Sequence, residues 1–158
     1  MQSEFGGKLN RVIFLAALML SSLAHSSPGI DIEFQSSGNQ VYRTTTLESD
    51  IKKYYGFKVS DPRVLLVVVE SLNSPELIEQ NNAIDGLGHD VEQYKLIYVI
   101  SCKNETYEHG YHTSKEVASS LASAEEVFKV ILLGSSGKVL KQSNQPVSSK
   151  ELRKWLGE

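Results

Sequence analysis

The feature that most constrains the fold is an aliphatic run in the middle of the chain. Residues 64–69, Val-Leu-Leu-Val-Val-Val, are six consecutive aliphatic side chains, four of them β-branched. The run follows Asp61-Pro62-Arg63 and stops at Glu70. A strand that is apolar on both faces is typical of the centre of a sheet covered by helices on both sides. The sequence therefore predicts an α/β fold built around this strand.

The elements after this strand are predicted from caps, apolar spacing and turn residues. A helix begins at Ser74-Pro75, where serine can cap and proline can occupy the first helical position; Leu77, Ile78 and Ile84 are expected to face the sheet. The remaining predicted elements are a strand over 94–100, a helix capped at Thr113, a strand over 128–133 with a hairpin into 138–141, and a helix capped at Ser148 or Ser149. The order is β-α-β-α-β-β-α, with the first two strands parallel and the closing hairpin antiparallel.

The N-terminus has the pattern of a signal peptide, predicted over residues 1–24. Lys8 and Arg11 precede an uncharged stretch, 12–24, that is shorter than the roughly 20 residues of a spanning helix. Ser22 and Ala24 fit cleavage after Ala24, which predicts an exported, periplasmic or secreted, protein that is not inserted in a membrane after cleavage. An uncleaved membrane anchor is the alternative interpretation.

Residues 25–60 are predicted to form an N-terminal β/α extension to the main domain, 61–158. Strand alternation over 30–34, turn residues at 36–39 and a second short run over 40–43 indicate an edge hairpin. A short helix capped at Thr46 or Ser49 is then expected to end at Gly56.

Charge and cysteine content exclude several classes of function. The 158 residues carry 16 Lys and Arg against 19 Asp and Glu, a net charge of -3, which argues against a nucleic-acid-binding protein. The one cysteine, Cys102, excludes an intramolecular disulfide and any internal dithiol cycle. The sequence has no recognisable cofactor motif, so no cofactor is expected.

The predicted order of elements is that of the thioredoxin fold. The strand over 63–68, the strand and turn over 128–137 and the helix start over 146–152 resemble a family of domains of unknown function with a thioredoxin/peroxiredoxin-like fold. That family occurs in exported bacterial proteins and in vertebrate extracellular-matrix proteins with sushi repeats. The resemblance implies the fold and the compartment, because the family has no defined reaction.

Both redox hallmarks of thioredoxins are missing from the matching positions. Thioredoxins place Cys-x-x-Cys where the helix begins, because the helix N-terminus stabilises the thiolate, but the matching stretch 70–75 contains no cysteine. They also place a cis-proline just before the third core strand, and the matching stretch 124–128 contains no proline. Ser71, Asn73 and Ser74 stand in the first of these stretches instead. Their hydroxyl and amide groups predict either a site for a small anion or a peptide carboxylate, or ordinary helix capping.

The loop from Cys102 to His112 is the other candidate for chemistry. Cys102, His109 and His112, with Glu105 and Glu108, are residue types that zinc or copper accepts, although their spacing matches no standard site. Cys102 alone has the alternatives of a peroxidatic thiol, an intermolecular disulfide or a half-buried thiol at a strand end. The sequence Asn104-Glu-Thr106 is a glycosylation sequon that matters in a eukaryotic secretory pathway.

The interpretation that the sequence favours is a non-catalytic, exported thioredoxin-like module that binds another exported or envelope protein. Its expected contact regions are the surface over 70–74 and the sheet edge beside the closing hairpin. A single-cysteine thiol peroxidase or a metal-binding protein that uses the loop 102–112 is the alternative. A structural component of an envelope or matrix that acts by oligomerisation is a third interpretation.

Overall fold

The computed structural model describes residues 29–88 and 95–158. The predicted signal peptide and Tyr94, the first residue of one predicted strand, lie outside these ranges. The strands are β1 (Glu33–Gln35), β2 (Val41–Arg43), β3 (Arg63–Val69), β4 (Leu96–Cys102), β5 (Tyr111–His112), β6 (Phe128–Leu133) and β7 (Val139–Ser143). The helices are α1 (Leu47–Tyr55), α2 (Pro75–Asp85), α3 (Lys115–Leu121) and α4 (Ser149–Leu156).

The described strands form one mixed sheet of seven strands in the order β2-β1-β5-β4-β3-β6-β7. Strand β3 lies near its centre, parallel to β4 and antiparallel to β6, and β6 and β7 form the predicted antiparallel hairpin. Apart from the two-residue β5, the order after residue 61 is the predicted one. The α/β prediction is therefore confirmed.

Alternate residues of β3 contribute to two separate cores, one on each face of the sheet. Leu65 and Val67 belong to an aliphatic core that includes Leu77 of α2 and Leu152 of α4. Leu66 belongs to a second core, which is covered by α1 and α3 and contains the rings of the N-terminal segment. Every β3 side chain from 64 to 69 is buried, as a strand with helices on both faces requires.

The N-terminal segment completes the second core. Its hairpin β1–β2 extends the sheet beyond β5, so β2 is an edge strand as predicted. Phe34 and Tyr42, one from each strand of that hairpin, are fully buried and stack with ring centroids 5.4 Å apart. Helix α1 ends at Gly56, whose φ of 75° is the left-handed conformation expected of a glycine cap. The segment is thus part of the same sheet as the rest of the domain.

Three local predictions are wrong. Ile78 was predicted to face the sheet, but it is 54% exposed because α2 turns Leu77, Gln80 and Ala83 inward. Strand β4 continues to Cys102 instead of ending at residue 100, since its pairing with β3 runs to the end of that strand. The cap of α3 is Ser114, whose Oγ accepts a hydrogen bond from the backbone N–H three residues on, and not Thr113. Ser74 and Ser148 cap α2 and α4 as predicted.

Candidate functional site

The predicted anion site lies where the central strands end. At the last residue of β3, Val69 pairs with Cys102 of β4 on one side and with Phe128 of β6 on the other. Three short stretches meet beyond this point, and we call them together the strand-end corner: residues 70–74, 103–105 and 123–126. In thioredoxins this is the position of the redox pair, by the resemblance described above.

A carboxylate of the chain itself occupies the corner. Glu105 Oε2 accepts a hydrogen bond of 2.8 Å from the Leu72 N–H and one of 3.2 Å from the Ser71 hydroxyl. The Ser71 Oγ in turn accepts from the Asn73 N–H at 3.3 Å, and the Ser74 Oγ accepts from the Leu77 N–H at 3.3 Å. The three predicted residues thus lie together in the corner, but the Ser74 hydroxyl caps the helix and the Ser71 hydroxyl binds the Glu105 carboxylate.

Lys103 binds the third stretch of the corner, residues 123–126. Lys103 Nζ donates to the backbone carbonyl oxygens of Ser123 and Glu126 at 2.9 and 2.7 Å. A hydrogen bond from the Ser123 N–H lowers the pKa of the Glu126 carboxyl, and Lys129 lies 3.6 Å from the same carboxyl. The stretch that carries a cis-proline in thioredoxins is therefore fixed here by a lysine and a carboxylate, and the described residues contain no cis peptide bond.

Cys102 is next to the corner but turned into the aliphatic core. It is 1% exposed, and its Sγ donates to the Glu70 carbonyl oxygen at 3.3 Å. Val69, its neighbour across the sheet, and Phe128 on the strand beyond belong to the same core. A thiol in this position is shielded from solvent by its apolar surroundings, so a substrate in solution does not reach it in the folded protein.

The two histidines of the loop make separate contacts. The His109 ring is edge-on to Tyr107, with centroids 6.2 Å apart, and His112 Nδ1 lies 3.0 Å from the Gly110 carbonyl oxygen. No group of three or more metal-ligating side chains is gathered within residues 29–88 and 95–158. His112 instead lines two polar cavities, of about 280 and 440 Å³, together with Gln35 and Thr106.

A second candidate site, which the sequence interpretation missed, is an open groove over the aromatic part of the second core. We call it the aromatic groove. Its volume is about 410 Å³, and it is lined by Ile51, Tyr55, Phe57, Val59, Lys95, Leu96, Ile97 and Tyr111. Tyr55 and Phe57 are 48% and 57% exposed, and their rings lie 5.9 Å apart. Among the described residues that line it, Lys95 alone carries a charge.

Two tyrosines that line the groove, Tyr55 and Tyr111, share a chain of hydroxyls with the buried Tyr42. The Tyr55 hydroxyl lies 3.3 Å from that of Tyr111 and 3.5 Å from that of Tyr42, which also donates to Gln40 Oε1 at 2.9 Å. Burial raises the pKa of Tyr42, and it raises the pKa of Tyr111 to about 12. Hydrogen bonds from Tyr111 and Tyr42 lower the pKa of Tyr55. Apolar concavities with a few converging polar groups are the usual form of a ligand site.

A local signal in the sequence could have pointed to this groove. Tyr54-Tyr55-Gly56-Phe57 is an aromatic run at a helix end, and it is flanked by lysines. The contribution of Ile97 and Tyr111, however, depends on sheet pairing that places distant parts of the chain together.

No protein-family model matches the chain, and no curated protein is significantly similar to it in sequence. Solved structures share its fold. A peroxidoxin from Mycobacterium tuberculosis has a TM-score of 0.56 at 12% identity, over 83% of this chain and 92% of that one. An exposed lipoprotein thioredoxin from Streptococcus pneumoniae has a TM-score of 0.52 at 13% identity, over 80% and 98%. A conserved protein of unknown function from Bacteroides fragilis has a TM-score of 0.51 at 11% identity, over 82% and 96%.

At these identities the likeness establishes the fold, which is thioredoxin-like. Among the described helices, none has the length and apolar character that crossing a membrane requires.

Proposed function

We propose that this protein is a binding module that uses the thioredoxin-like fold without thioredoxin chemistry, and that it is exported. The observation that carries the proposal is the Glu105 carboxylate in the strand-end corner, where it accepts hydrogen bonds from the Ser71 hydroxyl and the Leu72 N–H. Those donors are the groups that would otherwise be free to stabilise a thiolate or an incoming anion.

The position of Cys102 supports the same proposal. A peroxidatic or exchanging thiol has to be reached by its substrate and has to ionise. Cys102 is 1% exposed and donates its proton to the Glu70 carbonyl oxygen. Val69 across the sheet and Phe128 on the next strand are apolar and belong with Cys102 to the buried core, which keeps the sulfur from solvent.

The first experiment measures the reactivity of Cys102 towards hydrogen peroxide and a chromogenic disulfide in the folded protein. We expect labelling to be slow until denaturant is added. The matched control is Asn73→Cys in a Cys102→Ser background, because Asn73 is exposed in the same corner and its thiol is expected to react at once. Sulfenic acid formation at native Cys102 as fast as at this control would overturn the proposal in favour of a thiol peroxidase.

The second experiment tests the metal-binding alternative on the same sample. Elemental analysis of the purified full chain is expected to find zinc and copper well below one equivalent. A stoichiometric metal that is lost in the double variant His109→Ala, His112→Ala would replace the binding-module proposal with a metal protein.

Export is proposed from the signal-peptide pattern of residues 1–24. An exported module meets its binding partner in the compartment to which it is exported. Intact mass spectrometry of protein recovered from its own cells is expected to give a chain that begins at His25. A mass that retains Met1 and the following residues, with the protein in the membrane fraction, would support the uncleaved anchor instead. Light scattering separates the oligomeric structural component, since a partner-binding monomer has the mass of one chain.

A further inference from the structure

The rim of the aromatic groove exposes two large rings at one point of the surface. Tyr55 is the last residue of α1 and Phe57 follows the left-handed Gly56, so the turn that ends the helix separates the two rings by one residue. Both are about half exposed in the folded protein. Neighbouring exposed aromatic rings on a domain of this size indicate a surface that is covered in use.

The same segment concentrates positive charge. Lys52, Lys53 and Lys58 flank the rings in sequence, Lys95 lines the groove, and all four are exposed. Residues 51–60 contain three lysines and no acidic side chain, and the acidic residues of α1, Glu48 and Asp50, are confined to its first turn, at the end away from the rings. None of the four lysines forms an ion pair with a residue in the ranges 29–88 and 95–158. Lys95 Nζ donates to the Ser60 carbonyl and hydroxyl oxygens at 3.0 Å each, which fixes the ammonium without neutralising it.

We infer that the aromatic groove and its lysines dock the protein peripherally on an anionic lipid surface. Tyrosine and phenylalanine rings partition into the interface between headgroups and acyl chains, and lysines are attracted to anionic headgroups. The Tyr55 and Tyr111 hydroxyls, 3.3 Å apart, supply the polar side that an interfacial site needs. The groove of about 410 Å³ provides an apolar recess for part of an acyl chain beside them.

The chemistry of the cations favours a lipid surface over an acidic protein. All four are lysine and none is arginine. Arginine forms the fixed two-pronged hydrogen bonds that recognise one carboxylate or phosphate in a defined geometry, whereas lysine is a point charge on a flexible stem. Lysines around exposed rings therefore fit a diffuse layer of negative charge better than a single carboxylate.

The inference rests on the binding role proposed above and names its partner. The test is co-sedimentation of the mature chain, residues 25–158, with vesicles of phosphatidylcholine alone and of phosphatidylcholine with phosphatidylglycerol. We expect binding to the anionic vesicles only, and a reduction of about tenfold or more when the salt concentration is raised from about 0.05 to 0.5 M. Lys58→Glu, which reverses one charge, is expected to weaken binding at least about fivefold.

The matched control uses the exposed edge strand β7. Phe57→Ala is compared with Val139→Ala, since Val139 is 40% exposed, and Lys58→Glu is compared with Lys141→Glu. Loss of vesicle binding in the groove variants with no change in the β7 variants supports the inference. Equal losses in both pairs, or equal binding to neutral vesicles, would overturn it.

Two further outcomes would assign the groove to another occupant. Self-association of the full chain that Phe57→Ala abolishes, without vesicle binding, would make the groove a dimer interface. Capture of an acidic peptide that Lys58→Glu abolishes, again without vesicle binding, would make it a protein-binding site. In either case the thiol experiment would still stand, so the binding-module proposal and the lipid inference can fail separately.

Discussion

The strand-end corner and the aromatic groove differ in how far the chain satisfies its own surface. In the corner, Glu105 and Lys103 use the polar groups that a ligand would need. In the groove, two rings remain about half exposed, and neither Lys95 in its lining nor the lysines next to the rings in sequence have an acidic partner in the described part of the chain. The position that carries chemistry in thioredoxins is thus closed here, and a position on the other face of the sheet is open.

The difference indicates where a function can reside in a fold that has lost its redox pair. Hydrogen bonds made inside the corner stabilise the fold, and a ligand that entered there would first have to displace a carboxylate. Burial of the exposed groove rings against a partner, in contrast, removes apolar surface from water and requires no internal hydrogen bond to be broken. We therefore place binding at the groove.

The largest effect is expected beneath the groove, where its floor is also the second core. Phe34 is fully buried, stacks on Tyr42 and meets Tyr111 edge-on with centroids 6.0 Å apart. Phe34→Ala should lower the free energy of unfolding by about 3–5 kcal/mol, because it leaves a cavity among these rings. Chemical denaturation measures the loss.

Phe34→Leu keeps most of the volume and serves as the variant that folds if the alanine variant does not. Its loss should be clearly smaller. If Phe34→Ala costs less than about 1 kcal/mol, the N-terminal hairpin is not packed as described and the groove has no fixed floor.

The next effect concerns the closed corner. Glu105→Ala removes the acceptor for the Leu72 N–H and the Ser71 hydroxyl, and should lower the free energy of unfolding by about 1–2 kcal/mol. The exposed Glu108 of the same loop is the matched control, and Glu108→Ala should change stability by less than about 0.5 kcal/mol. Urea denaturation of both variants makes the comparison, and equal losses would mean that Glu105 does not close the corner.

The sequence was sufficient to predict the frame of the molecule. The aliphatic run of β3 predicts a central strand because successive side chains point to opposite faces of the sheet, and all of them are apolar and must be buried. Ser74 and Ser148 mark helix starts because capping is local chemistry. The prediction for Ile78 is wrong because helical spacing alone does not say which of two adjacent apolar residues faces the sheet.

The sites could not be predicted in the same way, because each depends on contacts between distant residues. Glu105 reaches a backbone N–H 33 positions away, and the Tyr55 and Tyr111 hydroxyls meet across 56 positions. The residue types in the loop 102–112 left a metal site at Cys102, His109 and His112 as an alternative, although their spacing matches no standard site. In the structure Cys102, the last residue of β4, has its sulfur in the aliphatic core. His112, on β5, instead lines a polar cavity.

The buried tyrosine hydroxyls next to the groove predict that stability depends on pH. Burial raises the pKa of Tyr111 to about 12 in the folded protein, above its ordinary value near 10. The folded state therefore favours the protonated hydroxyl, so this contribution is fully present below pH 10 and is lost as the pH rises from 10 through 12. The buried Tyr42, whose pKa is also raised, acts in the same direction.

Urea midpoints measured at pH 9 and pH 11 test this dependence. Tyr111→Phe should reduce the fall in stability between the two pH values, because a phenyl ring has no proton to lose. Val139→Ala, on the exposed edge strand β7 and without a titrating group, should leave the fall unchanged. A Tyr111→Phe variant with the same alkaline loss as the parent would place the titrating group elsewhere.

The smallest effect on stability is expected at the rim, and it separates a surface kept for a partner from one that stabilises the fold. Phe57 is 57% exposed, so Phe57→Ala removes little buried area and should change the free energy of unfolding by less than about 0.5 kcal/mol. The same substitution should reduce binding to anionic vesicles, whereas Phe34→Leu should reduce stability before it reduces binding. If Phe57→Ala instead unfolds the protein by more than about 1 kcal/mol, the ring packs against the domain in solution and is not held open for a membrane.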